Sequence, residues 1–337
     1  MLYPNHNTSN RVKSTDESIL VDVQKNGKVR PWQQKKSSSV SYFELLHILE
    51  FKKAPRVRDC GSLLEFKAND EGRLKLAKAY FCKSPLCPMC NWRRAMKHSN
   101  QTRLIIAEVV KRKPKARWLF LTLSVRNAID GEDLDQSLRD MTKGFNRLFK
   151  YKKVEKNLIG FMRATEVTVN AEDGTYNQHM HVLLCVESTY FANTENYINQ
   201  NQWRHLWKKA MKLNYLPIAH IQTIKPKNKK KSDIHSAIDE TSKYTVKDSD
   251  YLTDDQEHNL TVVKDLEKGL YRKRRISYGG LLKELHKELN LDSVEDGDLV
   301  KTGDEEDDIG DEAYSVVAQW NWSIANYVLK KPKKSGG

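Results

Sequence analysis

Residues 158–186 read LIGFMRATEVTVNAEDGTYNQHMHVLLCV, and the way this stretch turns back on itself decides the fold. Two apolar, β-prone runs, LIGFMRATEVTV and HMHVLLCV, flank EDGTY, whose Asp173-Gly174 pair is the strongest short hairpin signal. Alternate side chains of a strand point to opposite faces. His179 and His181 therefore share one face, and Met180, Val182 and Leu184 fill the other. With Asp173 and Gly174 as a two-residue turn, Glu172 opposes Thr175, Thr168 opposes His179, and Glu166 opposes His181. Opposed residues share a face, so Glu166 joins the imidazoles; a slip of one residue would turn it away. Two readings stand: a two-histidine, one-carboxylate metal site, or two partly exposed histidines beside a surface glutamate. The metal reading suits Mg²⁺ or Mn²⁺ acting on a phosphate, with Mn²⁺ the better match to imidazole.

Working outward, RWLFLTLSV (117–125) is a buried strand and GEDLDQSLRDMTKGFNRLFK (131–150) has helical spacing. After the hairpin, NYINQNQWRHLWKKAMKL (196–213) is an amphipathic helix with Trp203, Leu206, Trp207, Ala210 and Met211 on one stripe. LPIAHIQTIK (216–225) is a fourth strand, and SDIHSAIDETSKYTVK (232–247) a helix capped by Ser232 or Asp233. The order β-α-β-β-α-β-α predicts an α+β fold: a ferredoxin-like split βαβ antiparallel sheet, helices on one face, the other open to a ligand. Residues 1 to about 40 read as a polar tail with Trp32 docked, and YFELLHILEF (42–51) as a short helix. The chain divides into a tail and helix (1–55), a Cys-rich segment (56–97), a catalytic domain (98–252) and a mostly helical C-terminal region (253–337). That last region holds NLTVVKDLEKGLY, GLLKELHKELN, an acidic stretch from Asp292 to Glu312, and a helical piece around AYSVVAQWNWSIANYVL.

The 337 residues carry 58 Lys and Arg against 44 Asp and Glu, a formal charge of +14. Basic residues cluster in NWRRAMK, KPKNKKK and YRKRR, which points to nucleic acid as partner. No run is long and apolar enough to span a bilayer, and the N-terminus lacks a signal-peptide core. Five cysteines without export signals fit a reducing, cytoplasmic setting. Cys82, Cys87 and Cys90 are spaced Cys-x₄-Cys-x₂-Cys, and Cys60 stands upstream in RDCG. Four thiolates would make a closed structural Zn²⁺ site. The alternatives are reduced thiols in a small core, or His47 or His98 as fourth ligand. Cys185 reads as simply buried. Arg93 and Arg94 either reach DNA phosphates or open a solvated helix.

Glu240 and Tyr244 are four residues apart and share a helix face, with Tyr251 a rival on nearly the same face. A tyrosine can attack a phosphodiester, and a nearby carboxylate can take the proton. Lys243 and Lys247 on this helix are candidates for phosphate contacts or for ion pairs with Glu240.

LFLTLS, HMHVLL and ETSKYTVKDSDYL occur here in the order and spacing of a known family. The chain resembles the rolling-circle plasmid replication initiators of the pUB110/pC194 group, within the HUH endonuclease superfamily. RVRDCG, FCKSPLCPMCNWRR, FKYKK, MKLNY and ISYGG add to the likeness, which runs from about Arg56 to Tyr278. The resemblance implies a site-specific single-strand DNA endonuclease and strand transferase. It would nick one strand of the double-strand origin through metal-dependent tyrosine attack, stay on the 5′ phosphate, leave a 3′-OH primer, and rejoin the displaced circle. It implies His179 and His181 as metal ligands, Tyr244 as nucleophile, Glu240 in termination, and a host helicase and polymerase as partners. A non-enzymatic DNA-binding regulator, or a relaxase or transposase of the same superfamily, are the competing readings.

Overall fold

The computed structural model describes residues 18–24, 26–224, 238, 246–303 and 313–330. Its five-stranded sheet comprises β3 (Arg117–Ser124), β4 (Leu158–Val169), β5 (Tyr176–Val186), β6 (Ala219–Thr223) and β7 (Ile276–Gly280), in the order β6-β3-β5-β4-β7. Every pairing is antiparallel. Two further strands near the N-terminus, β1 (Leu63–Ala68) and β2 (Leu74–Ala79), form a second sheet with β8 (Tyr314–Asn321) and β9 (Asn326–Lys330), in the order β2-β1-β8-β9. The α+β class with antiparallel sheets is borne out.

The five-stranded sheet is buried on both faces over much of its length. Leu119, Leu121 and Leu123 of β3 and Met180, Val182 and Leu184 of β5 face α4 (Gly131–Leu148) and α6 (Gln200–Met211). Met141, Phe145, Trp203 and Trp207 fill that layer. Both helices are capped: Asp130 accepts from Glu132 N and Asp133 N, and Asn199 and Gln202 form a capping box. Against the opposite face lie α3 (Pro88–Arg112), through Ile105, Ile106 and Val109, and α8 (Leu281–Glu288), through Leu282 and Leu285. They cover Trp118, Phe120, Met162, Leu183 and Cys185. The expectation of helices on one face only is therefore corrected. Phe120, Leu183 and Cys185 alternate with the residues under α4 and α6, so an unbroken apolar run marks a strand buried on both sides. Beyond this cover the face turns polar, at Thr122 and Ser124 of β3 and His179 and His181 of β5.

The hairpin register also differs from the two-residue turn. Pairing starts at Val169↔Tyr176, and Asn170, Asp173 and Thr175 close the turn with Gly174 at φ 70. Glu166 opposes His179, and Ala164 opposes His181. The shift is two residues. Parity is unchanged, so Glu166 stays on the histidine face.

Two helical expectations are corrected. AYSVVAQWNWSIANYVL forms β8, a turn and β9, not a helix. Ala318 and Trp320 are buried while Gln319 is exposed, a period of two that the density of apolar residues conceals. The first helix, α1 (Trp32–Ile48), begins inside the expected tail. Its buried side includes Trp32, Lys35, Lys36 and Ser39, so the first half shows no apolar stripe in sequence. Trp32 is docked, its Nε1 donating to Asp22 Oδ2 at 2.7 Å and its ring edge-on to Trp92. A short helix α2 (Ala54–Arg58) leads into β1, another, α5 (Lys152–Glu155), into β4, and α7 (Gln256–Gly269) precedes β7. The sheets cross the expected segment boundaries: β8 pairs with β1, and β7 extends the sheet of β3 to β6. Among the described residues no helix is long and apolar enough to cross a membrane.

Candidate metal centre

On β4 and β5 the side chains of Glu166, His179 and His181 converge. Glu166 Oε2 lies 3.2 Å from His179 Nε2 and 2.9 Å from His181 Nε2. The three side chains keep only 11 to 13 % of their exposure. Each ring is held by its other nitrogen: His179 Nδ1 is 3.3 Å from the Asn177 carbonyl, and His181 Nδ1 is 3.3 Å from Thr122 Oγ1. Phe120 stacks on His181 at 5.4 Å, and the two imidazoles meet edge-on at 4.7 Å. Thr122 comes from LFLTLS, a motif with no chemistry legible from sequence; it stands opposite His181 in the β3–β5 register.

The donor chemistry fits a divalent ion. The Asn177 carbonyl can only accept, so His179 presents Nδ1–H to it and, when neutral, a lone pair at Nε2. That lone pair faces a carboxylate oxygen, an arrangement that calls for a proton or a cation between them. Burial would raise the Glu166 carboxyl, but the hydrogen bonds and charge of His179 and His181 outweigh it and hold the group at about 2. A carboxylate and two oriented imidazoles thus present one ligand atom each, all within 4.8 Å of one another.

A second carboxylate, missed in the sequence, stands nearby. Asp250 closes the 3-10 turn Asp248–Asp250, and its Oδ2 is buried without a hydrogen-bond partner among the described residues. Burial chiefly, with a contribution from the Glu166 charge, raises this carboxyl above its usual range.

Tyr244, Glu240 and Lys243 lie outside the described residues. The described residues on either side are buried. Ile238 belongs to the apolar cluster of Phe120, and Val246 to the cluster that contains Tyr251. Lys247 is exposed. Tyr251, the rival nucleophile, has no exposed surface, and its hydroxyl donates to the Leu86 carbonyl at 2.5 Å.

Arg93 and Arg94 are not DNA contacts, which corrects that expectation. They are 1 % and 5 % exposed. Arg93 donates to the Leu299 and Val300 carbonyls at 2.9 and 2.6 Å and stacks on Trp32 and Trp92. Arg94 donates to the Lys83 and Ser84 carbonyls at 2.6 and 3.0 Å. Both guanidiniums fasten loops to α3, because their helix starts inside the protein.

Cys60, Cys82, Cys87 and Cys90 come together as a buried group. His47 is exposed and stacked on Phe43, and His98 is buried 3.0 Å from Met162 Sδ, so neither joins them. Cys185 lies apart in the cluster of Phe120 and Leu183.

A sequence model described as "Replication protein" matches residues 73–328. The chain is 51 % identical over 314 residues to "Protein rep" of Lactiplantibacillus plantarum, covering 92 % of this chain and 99 % of that one. It is 61 % identical over 236 residues to "Replication protein" of Staphylococcus aureus, covering 70 % of this chain and all of the other. "Protein rep" of Streptococcus pneumoniae is 44 % identical over 317 residues, 93 % of this chain and 96 % of its own. No solved structure matches.

Proposed function

The chain belongs to the replication protein family, and from that premise we propose that it initiates rolling-circle replication of a plasmid by nicking one strand of the double-strand origin. The observation that carries the reading is the convergence of Glu166, His179 and His181 at the polar end of a sheet face. Those three residues would hold Mg²⁺ or Mn²⁺, which when bound polarises a phosphodiester and offsets charge gained in the displacement. Thr122 and the Asn177 carbonyl fix the imidazoles, so that both Nε2 atoms face Glu166.

Tyr244 is the nucleophile. Its oxygen attacks phosphorus, its proton passes to solvent or a base, and the bond to the 3′ oxygen breaks. The products are a 5′-phosphotyrosyl ester and a 3′-OH primer for a host polymerase, with a host helicase opening the duplex. Attack of a 3′-OH on the ester reverses the step and closes a circle. Glu240, four residues before Tyr244 in sequence, takes a proton from water and so releases the protein by hydrolysis in termination. Burial of Tyr251 supports Tyr244, since a hydroxyl with no surface cannot meet DNA. The net charge of +14 supports a DNA partner, and action on a bacterial plasmid would take place in the cytoplasm.

The test mixes purified protein with supercoiled origin plasmid and Mn²⁺. Open circles carrying covalently bound protein, with the adduct mapped to Tyr244 by peptide mass spectrometry, are expected. An adduct at another residue refutes the nucleophile. Specific origin binding without any nicking leaves the non-enzymatic regulator as the better account.

A further inference from the structure

Away from the sheet face, four thiols meet where α2, β2 and α3 join. We propose that Cys60, Cys82, Cys87 and Cys90 bind one Zn²⁺ in a closed, structural, tetrahedral site, with Lys36 as its buried counter-charge. The inference is independent of the nicking reading.

The spacing of the sulfurs comes first. Cys60 Sγ lies 3.5 Å from Cys90 Sγ and 3.6 Å from Cys87 Sγ, and Cys82 Sγ lies 3.7 Å from Cys90 Sγ. A tetrahedral site with Zn–S bonds of about 2.3 Å has S···S edges of about 3.8 Å. A disulfide needs about 2.05 Å, which none of these pairs approaches.

The groups aimed at the sulfurs come second. The amides of Cys82, Lys83 and Ser84 donate to Cys60 Sγ at 3.4 Å, Cys90 Sγ at 3.3 Å and Cys82 Sγ at 3.5 Å. Ser39 Oγ sits 3.5 Å from Cys87 Sγ. A neutral thiol is a weak acceptor, so three converging N–H groups suit the thiolate form that metal binding would create. The turn that brings the Ser84 amide back to Cys82 puts Lys83 at φ 57, a left-handed conformation that disfavours residues with a Cβ. Such a conformation persists only where the surroundings demand it.

Charge comes third. Lys36 has no exposed surface, and its Nζ donates to the carbonyls of Arg58 and Cys60 at 2.6 and 2.8 Å and to Ser62 Oγ at 2.8 Å. No carboxylate is among these partners. A buried cation requires compensation. As four Zn–S bonds form, four S–H protons pass to solvent, leaving a centre with two net negative charges, one of which Lys36 offsets. A core of neutral thiols would leave Lys36 with only the Trp322 ring, 5.5 Å from its Nζ, and the charge of Asp59.

The ion would join parts distant in sequence. Cys60 follows α2, Cys82 follows β2, Cys87 caps α3 and Cys90 lies in its first turn. The 25 residues of α3 span about 37 Å, and its far half supplies Ile105, Ile106 and Val109 to the layer under Phe120. The site therefore anchors one end of the helix that backs the sheet face bearing His181.

The test uses full-length protein purified without added zinc. Elemental analysis should give close to one zinc per chain. The double variant His179→Ala, His181→Ala should retain it, which separates this site from the centre on β4 and β5. Replacement by Co²⁺ should give the strong visible absorption of tetrahedral thiolate coordination, and stripping the metal should lower the melting temperature. Zinc-free protein that melts cooperatively at the same temperature overturns the inference. So does iron at one equivalent in place of zinc, or loss of the zinc in the double histidine variant. Because the stoichiometry is read on the wild-type chain, a Cys87→Ser variant that fails to fold does not remove the test.

Discussion

His98 makes the protein acid-labile by an amount that follows from its surroundings. It is 1 % exposed on α3, with Nε2 against Met162 Sδ and Nδ1 without a hydrogen-bond partner among the described residues. Burial alone lowers its pKa to about 3, against about 6.5 in the unfolded chain. Above the unfolded value neither state holds the proton, and His98 adds no pH dependence. Below it the unfolded chain binds a proton that the folded one refuses, so stability falls as pH falls until the folded value is reached. The slope is about 1.4 kcal/mol per pH unit, which gives roughly 5 kcal/mol over the whole window and between 2 and 3 kcal/mol by about pH 4.5. That is a large part of the ~5–15 kcal/mol typical of a folded domain. Urea unfolding of wild type and His98→Leu at steps from about pH 7.5 to about pH 4.5 measures it. The stability difference between the two proteins should move by between 2 and 3 kcal/mol against wild type across that range. Acid effects common to both, including any at the cysteines, cancel in the difference. A difference constant to within about 0.5 kcal/mol would refute the reasoning, because it would mean that the folded protein accommodates the imidazolium.

Other outcomes are expected at the candidate centre. His179→Ala, His181→Ala should reduce nicking of origin plasmid by roughly a thousandfold or more while preserving the circular dichroism spectrum; near wild-type rates would exclude a metal role. Thr122→Val removes the partner of His181 Nδ1 and should raise the Mn²⁺ concentration for half-maximal nicking by roughly 10- to 100-fold, read from a metal titration. Glu240→Ala should nick and form the covalent adduct at wild-type rates but hydrolyse it more slowly, followed as adduct lifetime on gels. An unchanged lifetime would leave Glu240 without a part in termination.

What was legible in the sequence was what depends on parity and spacing. His179 and His181 share a face in any strand, and Glu166 joined them although the register was misjudged by two, because an even shift keeps every side chain on its face. The cysteine spacing gathered its group for a similar reason: short intervals leave little freedom. Features that depend on what lies opposite were not legible. The inner face of α1 carries Lys36 and Ser39 because it looks onto the Cys60 carbonyl and the Cys87 thiol, and a hydropathy pattern registers that face as solvent. Arg93 and Arg94 resemble a phosphate-binding pair until the carbonyls of Lys83, Ser84, Leu299 and Val300 are in place. Gln319 and Trp320 read as part of a helix until β1 offers an edge.

The pairing of β1 with β8 also sets a clock. Ala68 meets Tyr314, some 250 positions later, and a ribosome adding about 5–20 residues per second needs roughly 12 to 50 seconds to cover that interval. Throughout it, one edge of β1 waits with unpaired amides and carbonyls, the kind of edge that recruits other strands. A nascent chain therefore carries an adhesive β1–β2 hairpin until β8 emerges. Messages cut short before residue 314 should yield chains that aggregate or are degraded, and such fragments make poor competitors of the finished protein for DNA.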